Sequence, residues 1–104
     1  MAPSTNNQRN VVFVDGIRTP PFGKAGPKGM YADTRADDLV VKAIRELLRR
    51  NPQLDPARID EVAVAATTQT GDQGLTIGRT AAILAGLPPE TVPGFAIDAC
   101  VPAR

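Results

Sequence analysis

Three short apolar runs, parted by stretches with helical periodicity, constrain this chain more than any other feature. The first, "VVFVD" over Val11 to Asp15, is a continuous β-branched run, the mark of a strand covered on both faces. The second lies in "EVAVAATT", led by Val62 and Val64, and the third is "GFAID", Gly94 to Asp98. Between the first two, "DDLVVKAIRELLRR" sets Val40, Ala43, Ile44 and Leu47 at i, i+3, i+4 and i+7, and Leu39 and Leu48 widen the stripe. Asp37 and Asp38 at its start and Arg49 and Arg50 at its end complement the helix dipole, and Asn51-Pro52 stops it. Asp55 then reads as the cap of a short turn opened by Pro56. Between the last two runs, "IGRTAAILAG" places Ile77, Ala81 and Leu84 on one face. Its small residues suit close packing on a sheet, and Gly86 with Pro88-Pro89 ends it.

The predicted order is therefore β-α-β-α-β, an α/β unit whose strands run parallel through right-handed crossovers. In open sheets of this kind ligands gather beyond the carboxyl ends of the strands. Those ends carry the Asp15-Gly16 loop, the Thr67-to-Gly74 loop and Cys100. The first of these loops runs on through the Gly- and Pro-rich "IRTPPFGKAGPKGMYADTRA", long enough to be either functional or disordered.

Composition narrows the choice of function. A chain of 104 residues holds one small domain with a single core. With 12 Lys+Arg against 11 Asp+Glu there is no basic field for nucleic acid or an anionic membrane. Aromatics make up 4%, so there is no stacking platform for bases, and the core must come from Val, Ile, Leu and Ala. No apolar run approaches the ~18 residues of a membrane span. The start "MAPSTNNQRN" reads as a disordered tail over residues 1–10 rather than a signal peptide, which makes the cytoplasm the expected location. One cysteine and no histidine exclude an internal disulfide and a Cys/His zinc site. The lack of histidine also removes the commonest general base, so a thiol nucleophile would need another activator.

Most local motifs have plain structural explanations. Neither a Walker loop nor a G-x-G-x-x-G fingerprint occurs. "GDQG" (Gly71 to Gly74) ahead of a helix could hold an anion, though a simple turn accounts for it better. Lys24 and Lys28 suit solvated loop positions, Asp37-Asp38 a helix start, and Asp60-Glu61 a strand edge. Cys100 is the sharp candidate. A thiol where a strand turns into a helix is presented well and gains acidity from the helix terminus, whereas a lone cysteine is ordinarily a small buried hydrophobe.

"VVFVDGIRTP" with "FGKAG", "ADDLVVKAIRELLRRN", "DEVAVAATTQTGDQG", "GRTAAILAGLP" and "VPGFAID" together resemble the N-terminal end of a thiolase, in the family's order from about Val11 to Asp98. The resemblance implies a β-α-β-α-β portion of a five-layered α-β-α-β-α fold built from two similar halves, here incomplete over residues 11–104. It implies acyl transfer between 3-ketoacyl-CoA or acetyl-CoA and coenzyme A, the thioester being substrate, with no bound cofactor or metal. A cysteine of the N-terminal half, at a buried helix start, takes the acyl group. A histidine and a second cysteine from the other half activate it and carry the proton. Intact members are homo-oligomers.

The ending departs from that pattern. The family cysteine stands three residues beyond the acid of the third strand, whereas Cys100 stands two beyond Asp98, and "VPAR" replaces a small-residue helix. Four residues with Pro102 among them cannot complete a helical turn, so Cys100 lacks the terminus that would lower its pKa. With GC-rich codons chosen to fit, an out-of-frame deletion after the Asp98 codon of a parent reading Ile-Asp-Arg-Met-Cys-Ala-Gly would yield Asp-Ala-Cys-Val-Pro-Ala-Arg and a stop, matching Asp98 to Arg104. The expectation is thus a thiolase by descent that does not turn over alone, with Cys100 nearest to the acyl acceptor and apolar sheet surface left open to association. The alternative is a non-catalytic α/β binding module or an inert remnant.

Overall fold

The computed structural model describes residues 9–20 and 26–98. Helix α1 spans Ala36–Arg50, strand β1 Val62–Ala66, helix α2 Ile77–Leu84 and strand β2 Gly94–Asp98. The two strands pair in parallel, with Val62 opposite Gly94 and Ala66 opposite Asp98. α2 is the crossover between them, and it lies between the sheet and α1. This is the parallel α/β arrangement expected from the alternation of runs.

Local chemistry sets the element ends. Asp37 stands in the first turn of α1, and Arg49 and Arg50 close its last turn in an ion-pair cluster on Glu46. Asp55 accepts a 3.0 Å bond from the Ala57 N–H and opens a single 3₁₀ turn over Pro56–Arg58. α2 ends in a Schellman arrangement: Gly86, at φ +95°, bonds back to Ile83, and the Leu87 N–H reaches the Ala82 carbonyl at 3.1 Å.

The core is built from small and branched side chains, grouped on either side of α2. Val41 of α1 packs on Ala81 and Ala85, while Ala82, Leu87 and Val92 pack with Ile44, Leu48, Ile59 and Val62. The expected stripe on α2 is rotated. Ile77 and Ala81 are buried as the periodicity requires, but Leu84 is 49% exposed and Ala82 and Ala85 are buried instead. A helix wedged between a sheet and another helix must bury a wider arc, and that arc turns toward the alanines, leaving Leu84 just beyond its edge.

The main departure from expectation concerns Val11 to Asp15. These residues form no strand, and Val11 to Val14 are 72–95% exposed. A strand exists only through its partners, and a run apolar on both faces needs cover on both. Among the described residues the sheet has two strands with helices over one face only, so this segment gains neither a ladder nor a roof. β1 shows the same one-sidedness. Val62, Val64 and Ala66 turn toward α2, whereas Ala63 and Ala65 are exposed, beside exposed Phe95 and Ile97 on β2.

Candidate functional site

The carboxyl ends of β1 and β2 lie side by side, since Ala66 pairs with Asp98. From Ala66 the chain enters the loop that leads through Gly71–Gln73, a single 3₁₀ turn, to α2. Of the three features expected to converge here, the structure places the Thr67-to-Gly74 loop at this end. Cys100 follows Asp98 by two residues and lies outside the described residues, as does Lys24.

The third feature is not brought there. Asp15 sits at the opposite end, where its Oδ2 accepts a 3.0 Å bond from Asn51 Nδ2 at the close of α1, while its Oδ1 accepts from the Gly16 N–H at 2.8 Å. The Asn51 bond, aided by the Gly16 N–H, holds the Asp15 carboxyl below its ordinary value. Asp15 and Asn51 line an apolar cleft of about 450 Å³ together with Val62, the first residue of β1. Without a ladder to hold "VVFVD" in register, this side-chain bond fixes where Asp15 stands.

The "GDQG" segment is a turn. The Gln73 N–H bonds the Thr70 carbonyl and the Gly74 N–H bonds the Gly71 carbonyl, so both donors are used within the loop. Asp72 puts a negative charge there and meets Arg35 at 3.4 Å. Arg35 also grips Asp37 through two bonds of 3.0 and 2.9 Å, which ties the start of α1 to the loop that follows β1 and holds the Asp37 carboxyl low. Leu75 and Thr76, both at φ +54°, carry the chain through the left-handed region into α2. Among the described residues no three His, Cys, Asp or Glu side chains come together as a metal site.

Two arginines matter at the opposite end of the sheet, where β2 begins, and were not singled out in the sequence. Arg79 of α2 donates to the Val92 carbonyl at 3.1 Å and to the Pro89 carbonyl at 3.0 Å, fixing the entry into β2. Arg45 of α1 donates to the Leu84 carbonyl at 2.7 Å, capping the last turn of α2. For Arg79 the available signal was an arginine on an otherwise apolar helix with no acid three or four positions away.

Comparison with known proteins bears on this arrangement. The family profile described as "Thiolase, N-terminal domain" matches residues 11–101. The chain belongs to the thiolase family. A 3-ketoacyl-CoA thiolase of Vibrio parahaemolyticus is 45% identical over 86 residues, which is 83% of this chain and 22% of that protein. A 3-oxoadipyl-CoA/3-oxo-5,6-dehydrosuberyl-CoA thiolase of Escherichia coli is 43% identical over 90 residues, 86% of this chain and 21% of that protein. A beta-ketoadipyl-CoA thiolase of Pseudomonas knackmussii is 40% identical over a similar stretch. The chain thus spans about a fifth of the length of these thiolases. No helix among the described residues is long and apolar enough to cross a membrane.

Proposed function

We propose that this chain is the opening part of an acyltransferase that moves an acyl group between a 3-ketoacyl or acetyl thioester and coenzyme A, and that it does not turn over by itself. Family membership through the N-terminal domain supports the reaction class, as do the names of the similar thiolases. One observation carries the placement of the chemistry. β2 runs parallel to β1 and ends at Asp98, two residues before Cys100 in the sequence, which supports a reading in which the thiol serves the carboxyl edge where α/β sheets collect ligands.

In the loading step the Cys100 thiolate would attack the thioester carbonyl, form a new sulfur–carbon bond and expel coenzyme A, which takes up the proton that the thiol gave. That step needs a base for the thiol and donors for the oxyanion. The 104 residues contain no histidine, and removal of a general base typically costs about 10²–10⁴-fold. The same lack of histidine favours a second reading, a non-catalytic α/β module that binds a coenzyme A-like ligand or an inert remnant. The homo-oligomeric state of intact members and a cytoplasmic location belong to the acyltransferase reading.

Incubation with acetyl-CoA, followed by intact-mass measurement, tests the proposal. Little or no adduct is expected from the chain alone, and any that forms should vanish in Cys100→Ser. A stoichiometric adduct that discharges to added coenzyme A would overturn the inactivity. Coenzyme A binding without an adduct would favour the binding module.

A further inference from the structure

Two unmet pairing needs stand in the same chain. The Val62 N–H donates to the Pro93 carbonyl at 2.9 Å across the β1–β2 edge. By the alternation of a strand, Ala63 and Ala65 therefore turn their backbone N–H and C=O groups to the other edge, where no described residue pairs with them. The second need is the run Val11 to Val14, four consecutive β-branched or aromatic side chains, 72–95% exposed.

The chain's own run is held out of register with its own edge. With Val11 beside Val62 in the parallel sense that β1 and β2 already share, Asp15 would lie beside Ala66. Asp15 is instead bonded to Asn51, in the cleft that Val62 lines at the start of β1. Ala66 lies four residues of strand, about 13 Å, beyond Val62. A second copy carries no such tether to this edge. Its charges also fit that register: Arg9 and Asn10 continue beside Asp60 and Glu61, a base against two exposed acids, while Val11 to Val14 meet the uncharged Val62 to Ala65. A net charge of +1 does little to hold copies apart.

We propose that Val11–Val14 of one copy adds as a third, parallel strand to the free edge of β1 in a second copy. Main-chain bonds to Ala63 and Ala65 supply the pairing, and the Arg9-to-acid contact supplies the register. The contact is head-to-tail, so each added copy offers a fresh run and a fresh edge, and growth does not close. The inference is independent of the acyl-transfer reading.

Sedimentation of the full chain over a range of concentrations tests it. The wild-type mass should rise steadily with concentration. Val12→Pro/Phe13→Pro, in an exposed segment, removes whichever of two alternate N–H groups enters the ladder, and Ala65→Pro removes a donor from the open edge. Each should need at least about ten times more protein to associate, and an equimolar mixture of the two should stop at a one-to-one pair. If Ala65→Pro fails to fold by circular dichroism, a labelled peptide of residues 9–16 replaces it. That peptide should bind Val12→Pro/Phe13→Pro and cap the growth of wild type. Unchanged association of the double variant, no binding of the peptide, or a wild-type monomer at every concentration would overturn the proposal. A monomer whose Val11–Val14 amides resist exchange would show the run docked on its own edge, and would overturn it equally.

Discussion

Gly78 of α2 and Phe95 of β2 meet backbone against backbone. A Cβ built on Gly78 would overlap the Phe95 carbonyl, and one built on Gly94 would lie 2.6 Å from the Gly78 oxygen. Two glycines thus let a helix rest directly on the strand. Gly78→Ala must push α2 off the sheet and loosen the buried group around Ala81 and Ala82. Overpacking of this kind costs about 1–3 kcal/mol, and more where backbone is the obstacle, so the chemical-denaturation midpoint should fall clearly. An unchanged midpoint would mean that the contact is not made in solution.

Arg79 donates to two neutral acceptors, the carbonyls of Val92 and Pro89. Arg79→Met keeps most of the apolar stem and removes both bonds, leaving a partly buried carbonyl unsatisfied. The expected loss is about 1–3 kcal/mol, and Arg79→Lys, a point charge without the fork, should restore only part of it. Equal stability of the lysine variant and wild type would refute the two-carbonyl clamp.

Glu46 accepts from Arg49 and from Arg50, and these bonds lower its pKa from 4.5 to about 2. Because the folded value lies below the unfolded one, this pair helps the folded state fully above about pH 4.5, and the help is lost as the pH falls toward 2. The Glu46 side chain is 30% exposed and its arginine partners more so, so the effect belongs to low ionic strength and fades with salt. A carboxyl NMR titration should find Glu46 titrating at about 2. A midpoint near 4.5 would show the cluster is absent.

Ile97 is 48% exposed on the uncovered face of the sheet, opposite Ala65. Ile97→Lys should leave thermal stability within about 0.5 kcal/mol of wild type, since surface changes rarely do more, while raising solubility by breaking the apolar patch. A large drop in stability would place Ile97 inside a core.

Much of the fold was legible because its signals are local. α1 was set by the i, i+3, i+4, i+7 spacing from Val40 to Leu47, and its polar ends fell within one residue of the observed Ala36–Arg50. The glycine stop at Gly86 and the cap at Asp55 were equally local. Val11 to Asp15 was misread because strand formation is a property of the neighbour as much as of the run. Leu84 was misread because the buried arc of α2 depends on where α1 lies. Asp15 was expected near the sheet's carboxyl end, but its bond to Asn51 joins residues far apart in the chain, and no spacing rule announces it. The Thr67-to-Gly74 loop was readable from the end of β1, while Cys100 lies outside the described residues.

The parallel pairing of Val62 with Gly94 has a consequence for biosynthesis. As the polypeptide leaves the ribosome, β1 emerges with nothing to zip against, and its partner strand is not made until the whole of α2 has been translated. Helices can form in the nascent chain turn by turn, but the sheet is a late event, closed only when Asp98 has cleared the exit tunnel. Until then the valines of β1 depend on whatever chaperone greets them.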